Sequence, residues 1–175
     1  MPRTVGGREW AGLPDLGVHA IRARVDRGAP ASSLVAQDIE LAGGPDGPIV
    51  RFTVRPDPAG GADGVTAEAP LVDLRDIPAA DGVMERRPVI RTRLLLAGLR
   101  CPIELSLTSG RDPEPDEAPA DGNGHPGDDD RAGEGDTVGE AAYGILVGRR
   151  ALRRRFHVDP DRSFVGGGTA TGPPA

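Results

Sequence analysis

A strand that stops at an acid and a glycine constrains this chain more than any other segment. In Ile21-Arg22-Ala23-Arg24-Val25-Asp26-Arg27-Gly28-Ala29, the apolar residues Ile21, Ala23 and Val25 alternate with polar ones. A period of two marks a half-buried strand. The strand predicted over residues 18–26 therefore carries Asp26 at its end. Gly28 then permits a turn that lifts the carboxylate out of the ladder, and Ser32-Ser33-Leu34-Val35 leads back into apolar sequence.

The remaining sequence repeats this scheme of short apolar runs cut by turn residues. Residues 8–17 read as an opening strand and turn, and Leu34–Leu41 as one further strand. Ile49–Val54 is rich in β-branched residues and Val65–Val72 alternates weakly; both read as strands. Residues 73–88 have polar arms around Asp81-Gly82, a dipeptide that favours a type I′ hairpin turn. Val89–Leu96, Cys101–Thr108, Tyr143–Gly148 and Phe156–Pro160 complete the strands, and Arg149–Phe156 suits the one convincing helix. About eight short strands and one helix make the chain mainly β, a closed barrel or a sandwich.

Composition sets what does not join that core. The 26 glycines and 18 prolines make up a quarter of the 175 residues, and aromatics only 3%. Residues 113–142 hold ten acids against the single base Arg131. That segment cannot bury enough apolar area to order itself, so it reads as a disordered acidic insertion in a surface loop. It serves either as an inert solubilising loop or as a tether for a basic partner. The tail 166–175 reads as flexible. One folded unit over residues 1–165 is expected.

Several functions are disfavoured. The rest of the chain is mildly basic through arginine alone, for there is no lysine. These arginines are spread over strands and turns without an aromatic platform, so nucleic acid is not an expected partner. Cys101 has no second cysteine to pair with and reads as a buried structural thiol. No run is long enough to span a bilayer, and the first ten residues lack the apolar core of a signal peptide. A cytoplasmic protein without membrane contact is expected. His19, His125 and His157 are isolated, so no metal site is expected. A phosphate-cradling Gly-x-x-x-x-Gly-Lys loop is impossible without lysine.

Asp-x-Gly alone says little, since Asp15-Leu16-Gly17 matches it too. The context of Asp26 says more. About 120 residues later, Ile145-Leu146-Val147-Gly148-Arg149 enters the helix. An apolar-apolar-Gly segment crossing beside an Asp loop resembles the retroviral-type pepsin folds. More narrowly, the chain resembles a bacterial retropepsin-like aspartic peptidase family often labelled ATP-dependent zinc protease. The matching stretches include Gly7-Arg8-Glu9-Trp10, Leu13–Gly17, Arg24-Val25-Asp26, Gly28-Ala29, Val50–Val54, Arg87–Thr92, Pro102–Thr108, Leu146–Arg149 and Val158-Asp159-Pro160.

The resemblance implies a closed retropepsin-like barrel with a flap hairpin at Asp81 and Gly82 and one short C-terminal helix. It implies Asp26 as the catalytic residue on an active-site loop of Arg27, Gly28 and Ala29, supported by Ile145, Leu146, Val147, Gly148 and Arg149. One chain offers one such Asp, so the second carboxylate of an aspartic dyad would come from a second copy across a two-fold axis. The expected partners are a homodimer mate, a peptide or protein substrate, and the pathway of an ATP-grasp ligase; no cofactor is expected. Two departures weigh against activity. Arg27 stands where the family has Thr, and Pro30 where it usually has Arg. Two guanidinium groups near a symmetry axis would repel, and pairing with Asp26 would hold its proton off. The alternative is therefore a catalytically inactive binding or scaffold module on the same fold.

Overall fold

The computed structural model describes residues 1–56, 63–78, 82–109 and 143–166. Ten strands appear among them: β1 (Arg3–Leu13), β2 (Val18–Asp26), β3 (Ser32–Val35), β4 (Gln37–Gly44), β5 (Gly47–Val54), β6 (Val65–Pro78), β7 (Met84–Leu96), β8 (Leu99–Thr108), β9 (Ile145–Gly148) and β10 (Phe156–Ser163). A 3-10 turn covers Pro14–Leu16, and the one α-helix, α1, covers Arg149–Leu152.

Six strands close into a barrel in the order β1-β2-β9-β3-β8-β7, and β7 meets β1 again through Ala11↔Leu96 and Gly12↔Leu95. Closure leaves those six without a free edge. β6, β5 and β4 continue outward from β7, and β10 lies parallel to the start of β1. The alternation read in β2 is realised: Ile21 and Ala23 are fully buried and Val25 nearly so. They share one core with Leu34, Leu94, Leu105, Leu107, Ile145 and Val147, which Val50, Phe52 and Val54 of β5 also enter. At about 25 cal/mol per Å² of apolar surface removed from water, this shared core is the main stabilising term.

β9 lies between two strands that are neighbours in sequence. It runs parallel to β2, with Asp26 opposite Gly148, and antiparallel to β3. The loop from β2 to β3 must therefore pass over the end of β9.

Two sequence expectations are corrected. Leu34–Leu41 is two strands, because the chain turns where Asp38 takes φ +50° and the amide of buried Ala36 donates to Thr108 O. β3 stays in the barrel while β4 pairs with β5. The helix is four residues long rather than eight: Arg154 sits at φ +64°, and Phe156 pairs with Arg3 and buries its ring. The β6–β7 hairpin exists, with Pro78↔Met84 its last pair among the described residues. Gly82 has φ +79°, while Asp81 lies outside the described residues, as do residues 113–142 of the acidic segment and 167–175 of the tail.

The C-terminal segment is tied to β1 by one buried carboxylate. Glu9 is 2% exposed. Its Oε1 accepts from the amides of Gly6 (2.7 Å), Val165 (2.8 Å) and Gly166 (3.1 Å). Phe164 packs against Trp10 with ring centroids 6.0 Å apart, and the Arg22 guanidinium lies over the Trp10 ring. A buried carboxylate needs such donors, because each unmet bond costs about 1–3 kcal/mol. Replacing Glu9 by Ala should lower stability by roughly 2–4 kcal/mol, and hydrogen exchange at Val165 and Gly166 should rise to that of free chain. Unchanged exchange there would show that other contacts hold the segment.

Candidate active site

The Asp26 loop is built by that crossing. Asp26 closes β2 half-buried, Arg27 and Gly28 are exposed, and Ala29 is half-buried. The Gly28 amide donates to Asp26 Oδ1 at 2.7 Å, which turns the chain back over its own carboxylate. Beneath it, Ile145 and Val147 are buried in the core, Leu146 is half-buried, and Arg149 is exposed at the start of α1.

Gly148 is where the two segments touch. A Cβ there would lie 2.2 Å from Ala31 O and 2.9 Å from Ala29 O. Only glycine lets the loop pass this close. The Gly148 amide donates to Ser32 Oγ at 2.9 Å. The Arg149 amide donates to Ala29 O at 2.7 Å, and that of Arg150 to Pro30 O at 3.4 Å. The opening amides of α1, which have no partner within a helix, are thus satisfied by the loop carbonyls. The segment expected to support Asp26 does so through backbone geometry. Ser32 was not singled out; its signal is a hydroxyl residue where the loop re-enters the barrel.

Two cavities flank the loop, on different faces of α1. A groove of about 930 Å³ runs between Pro30–Ser32, the hairpin arm at Arg75–Ile77 and Pro102–Ser106 of β8. At its wall, Glu104 receives Arg75 at 3.1 Å and Arg91 at 3.0 Å. Hydrogen bonds from Arg91 and then Arg75 hold the Glu104 carboxyl below the usual carboxylate range. The second cavity, about 640 Å³, is lined by Arg27, Gly28, Arg149, Arg153, Arg154 and His157 among others. Four of the 21 arginines therefore meet beside the Asp loop. The run Arg149–Arg155 could have signalled this had its return toward Arg27 been visible.

The other candidate groups fall elsewhere. Asp15 is held by a two-pronged ion pair with Arg93, 2.9 Å from Arg93 Nε to Oδ2, and hydrogen bonding from Arg93 lowers its pKa. That Asp-x-Gly is a surface ion pair. Cys101 is buried, and burial pushes its thiol pKa up, as suits a structural residue. His19 and His157 are exposed on separate strands, and His125 lies outside the described residues. Among the described residues no three metal-ligating side chains gather, and no helix is long and apolar enough to cross a membrane.

Comparison with known proteins agrees with this geometry. Residues 4–168 match the family described as RimB-like, retropepsin-like aspartic endopeptidase RimB. Three curated relatives are each named probable alpha-L-glutamate ligase. The one from Parasynechococcus marenigrum (strain WH8102) is 33% identical over 91% of this chain and 28% of its own length. The one from Shewanella halifaxensis (strain HAW-EB4) is 31% identical over 91% and 29%, and the one from Desulfotalea psychrophila (strain LSv54 / DSM 12343) 39% over 90% and 28%. The chain thus spans less than a third of these relatives. The crystal structure of Lpg0085, a protein of unknown function (DUF785) from Legionella pneumophila subsp. pneumophila str. Philadelphia 1, superposes with a TM-score of 0.65. It covers 95% of this chain and 99% of its own at 23% identity, a likeness of fold.

Two outcomes are expected. Gly148→Ala should push the loop off β9, lowering the urea midpoint by an amount equal to about 2–4 kcal/mol; a midpoint within error of wild type would show that the loop gives way freely. The Glu104 pKa is depressed in the fold, so its stabilising effect is present above the ordinary carboxylate pKa of 4.5 and lost as pH falls through the lowered value. Stability of wild type should therefore fall more steeply below pH 4.5 than that of Glu104→Gln, measured by urea unfolding across pH 3–6. Because Glu104 is about one third exposed, the difference should be small, under about 1 kcal/mol.

Proposed function

The chain belongs to the RimB-like family of retropepsin-like aspartic endopeptidases, and on that premise we propose that it hydrolyses peptide bonds with a dyad of Asp26 carboxylates, one from each copy of a homodimer. The observation that carries this reading is the placing of Asp26. It sits at a strand end, half-buried, on a loop locked by Gly28 and by the β9–α1 crossing. A groove of about 930 Å³ lies between that loop and the β6–β7 hairpin arm, and we read it as the peptide cleft with the hairpin as its flap.

The chemistry needs only the two carboxyl groups and water. Like charges held close cannot both ionise, so the pair shares one proton. The ionised carboxylate takes a proton from water as it attacks the scissile carbonyl. The protonated one gives its proton to the carbonyl oxygen, and the tetrahedral species then expels the amine. The reaction calls for no metal or cofactor. Because the curated relatives are named glutamate ligases, we place the activity beside a ligase that adds glutamate, in the cytoplasm, with peptides or protein tails as substrate.

A second reading is favoured by Arg27. A guanidinium at the loop position next to Asp26 suits a binding module that has lost catalysis. The two readings separate in one set of measurements. Purified wild type should dimerise by light scattering and cleave a peptide library, glutamate-tailed peptides included, between acid and neutral pH. Asp26→Asn should lower cleavage at least about 100-fold while leaving dimerisation intact. A strictly monomeric protein, or cleavage indifferent to Asp26→Asn, would remove the dyad. Cleavage gained only in Arg27→Thr would establish the inactive module.

A further inference from the structure

The basic cavity beside the Asp loop is not used by the reaction above. Arg27, Arg149, Arg153 and Arg154 line it, with His157 at its wall and buried Leu152 and Phe156 as apolar floor. Among the described residues no acidic side chain lines it. Among the described residues no carboxylate pairs with any of those four arginines. Four like charges around about 640 Å³ repel one another, and an apolar floor weakens the screening by water. The backbone adds an independent sign. Arg154 holds φ +64°, a left-handed conformation that costs a non-glycine residue of order 1 kcal/mol and that clusters at binding sites. Here it turns the chain so that Arg153 and Arg154 face the same space as Arg27. Arg150 and Arg155 join Arg153 and Arg154 around an adjoining recess of about 360 Å³.

We propose that this cavity binds a small anion carrying two or more phosphate groups. The guanidinium fork matches phosphate oxygens two at a time. A diphosphate packs several negative charges into a volume of this size. An extended acidic peptide instead spreads its charges one per residue, about 3.3 Å apart and on alternating faces. The occupant also bears on Arg27, in a consequence that rests on the peptidase reading. An anion in the cavity holds the Arg27 guanidinium away from the Asp26 carboxylate and relieves repulsion between loops meeting at a two-fold axis. The site then acts as a switch through which a phosphate compound raises peptidase activity.

The test uses the full chain and inorganic pyrophosphate, titrated by calorimetry at fixed ionic strength. Wild type should bind, and the exposed double variant Arg153→Ala/Arg154→Ala should bind at least tenfold more weakly with an unchanged melting curve. Arg153→Lys/Arg154→Lys keeps the charge without the fork and should fall between them. Absence of binding to wild type, or equal affinity in the alanine variant, overturns the site. Tighter binding of tetraglutamate than of pyrophosphate overturns the phosphate assignment. In peptide cleavage, pyrophosphate should stimulate wild type and leave Arg27→Thr unaffected; stimulation of both alike overturns the link to Arg27. Pyrophosphate binding in a protein that cleaves nothing supports the site and sinks the peptidase reading instead.

Discussion

The rest of this structure depends on one close crossing, that of residues 27–31 over the end of β9. The crossing puts β9 between β2 and β3, satisfies the first amides of α1, and leaves Asp26 half-buried at a strand end. It is possible only because Gly148 has no side chain. Of the hydrogen bonds that accompany it, those from Arg149 and Arg150 run to loop carbonyls, and those from Gly28 and Gly148 to the side chains of Asp26 and Ser32. Neither Arg27 nor Pro30 carries the crossing through its side chain: Arg27 is exposed, and Pro30 contributes its carbonyl.

Much of the fold is legible in the sequence where one physical signal acts alone. β2 and β5 were read with their ends nearly right, because alternation and β-branching are local properties. The pairing of Asp26 with the Ile145–Arg149 segment was legible only through family resemblance, since no local pattern reports a partner so distant in sequence. Where the reading failed, tertiary demands overrode local preference. Residues 149–156 favour a helix by composition, yet Phe156 is taken by the core and by a place beside β1. The run Leu34–Leu41 is uniformly strand-like, yet its halves serve different sheets.

The site shows the same division. Asp26 and Gly28 could be named from the strand that ends in a turn, and Gly148 through the family resemblance. Ser32 and the arginine cavity could not, because both arise only when the loop and α1 are brought together. Charge counted along the chain suggested a diffuse basicity; on the fold, four of the 21 arginines meet in one cavity. Family membership fixes the fold, while what the chain does depends on the side chains around Asp26.

The position of β9 also governs when this protein can fold. The bond between Ser32 and Gly148 joins residues 116 apart, and β2 and β3 each lack one of their two barrel neighbours until that distant segment exists. At the 5–20 residues per second of a ribosome, the wait for that second neighbour is on the order of ten seconds. Throughout it, two apolar strands near the start of the nascent chain stand with open edges. Such long-range pairing is intrinsically slow, and exposed edges invite pairing with other chains. The architecture that shapes the Asp loop thus makes synthesis the protein's most vulnerable period, when a chaperone would have most to protect.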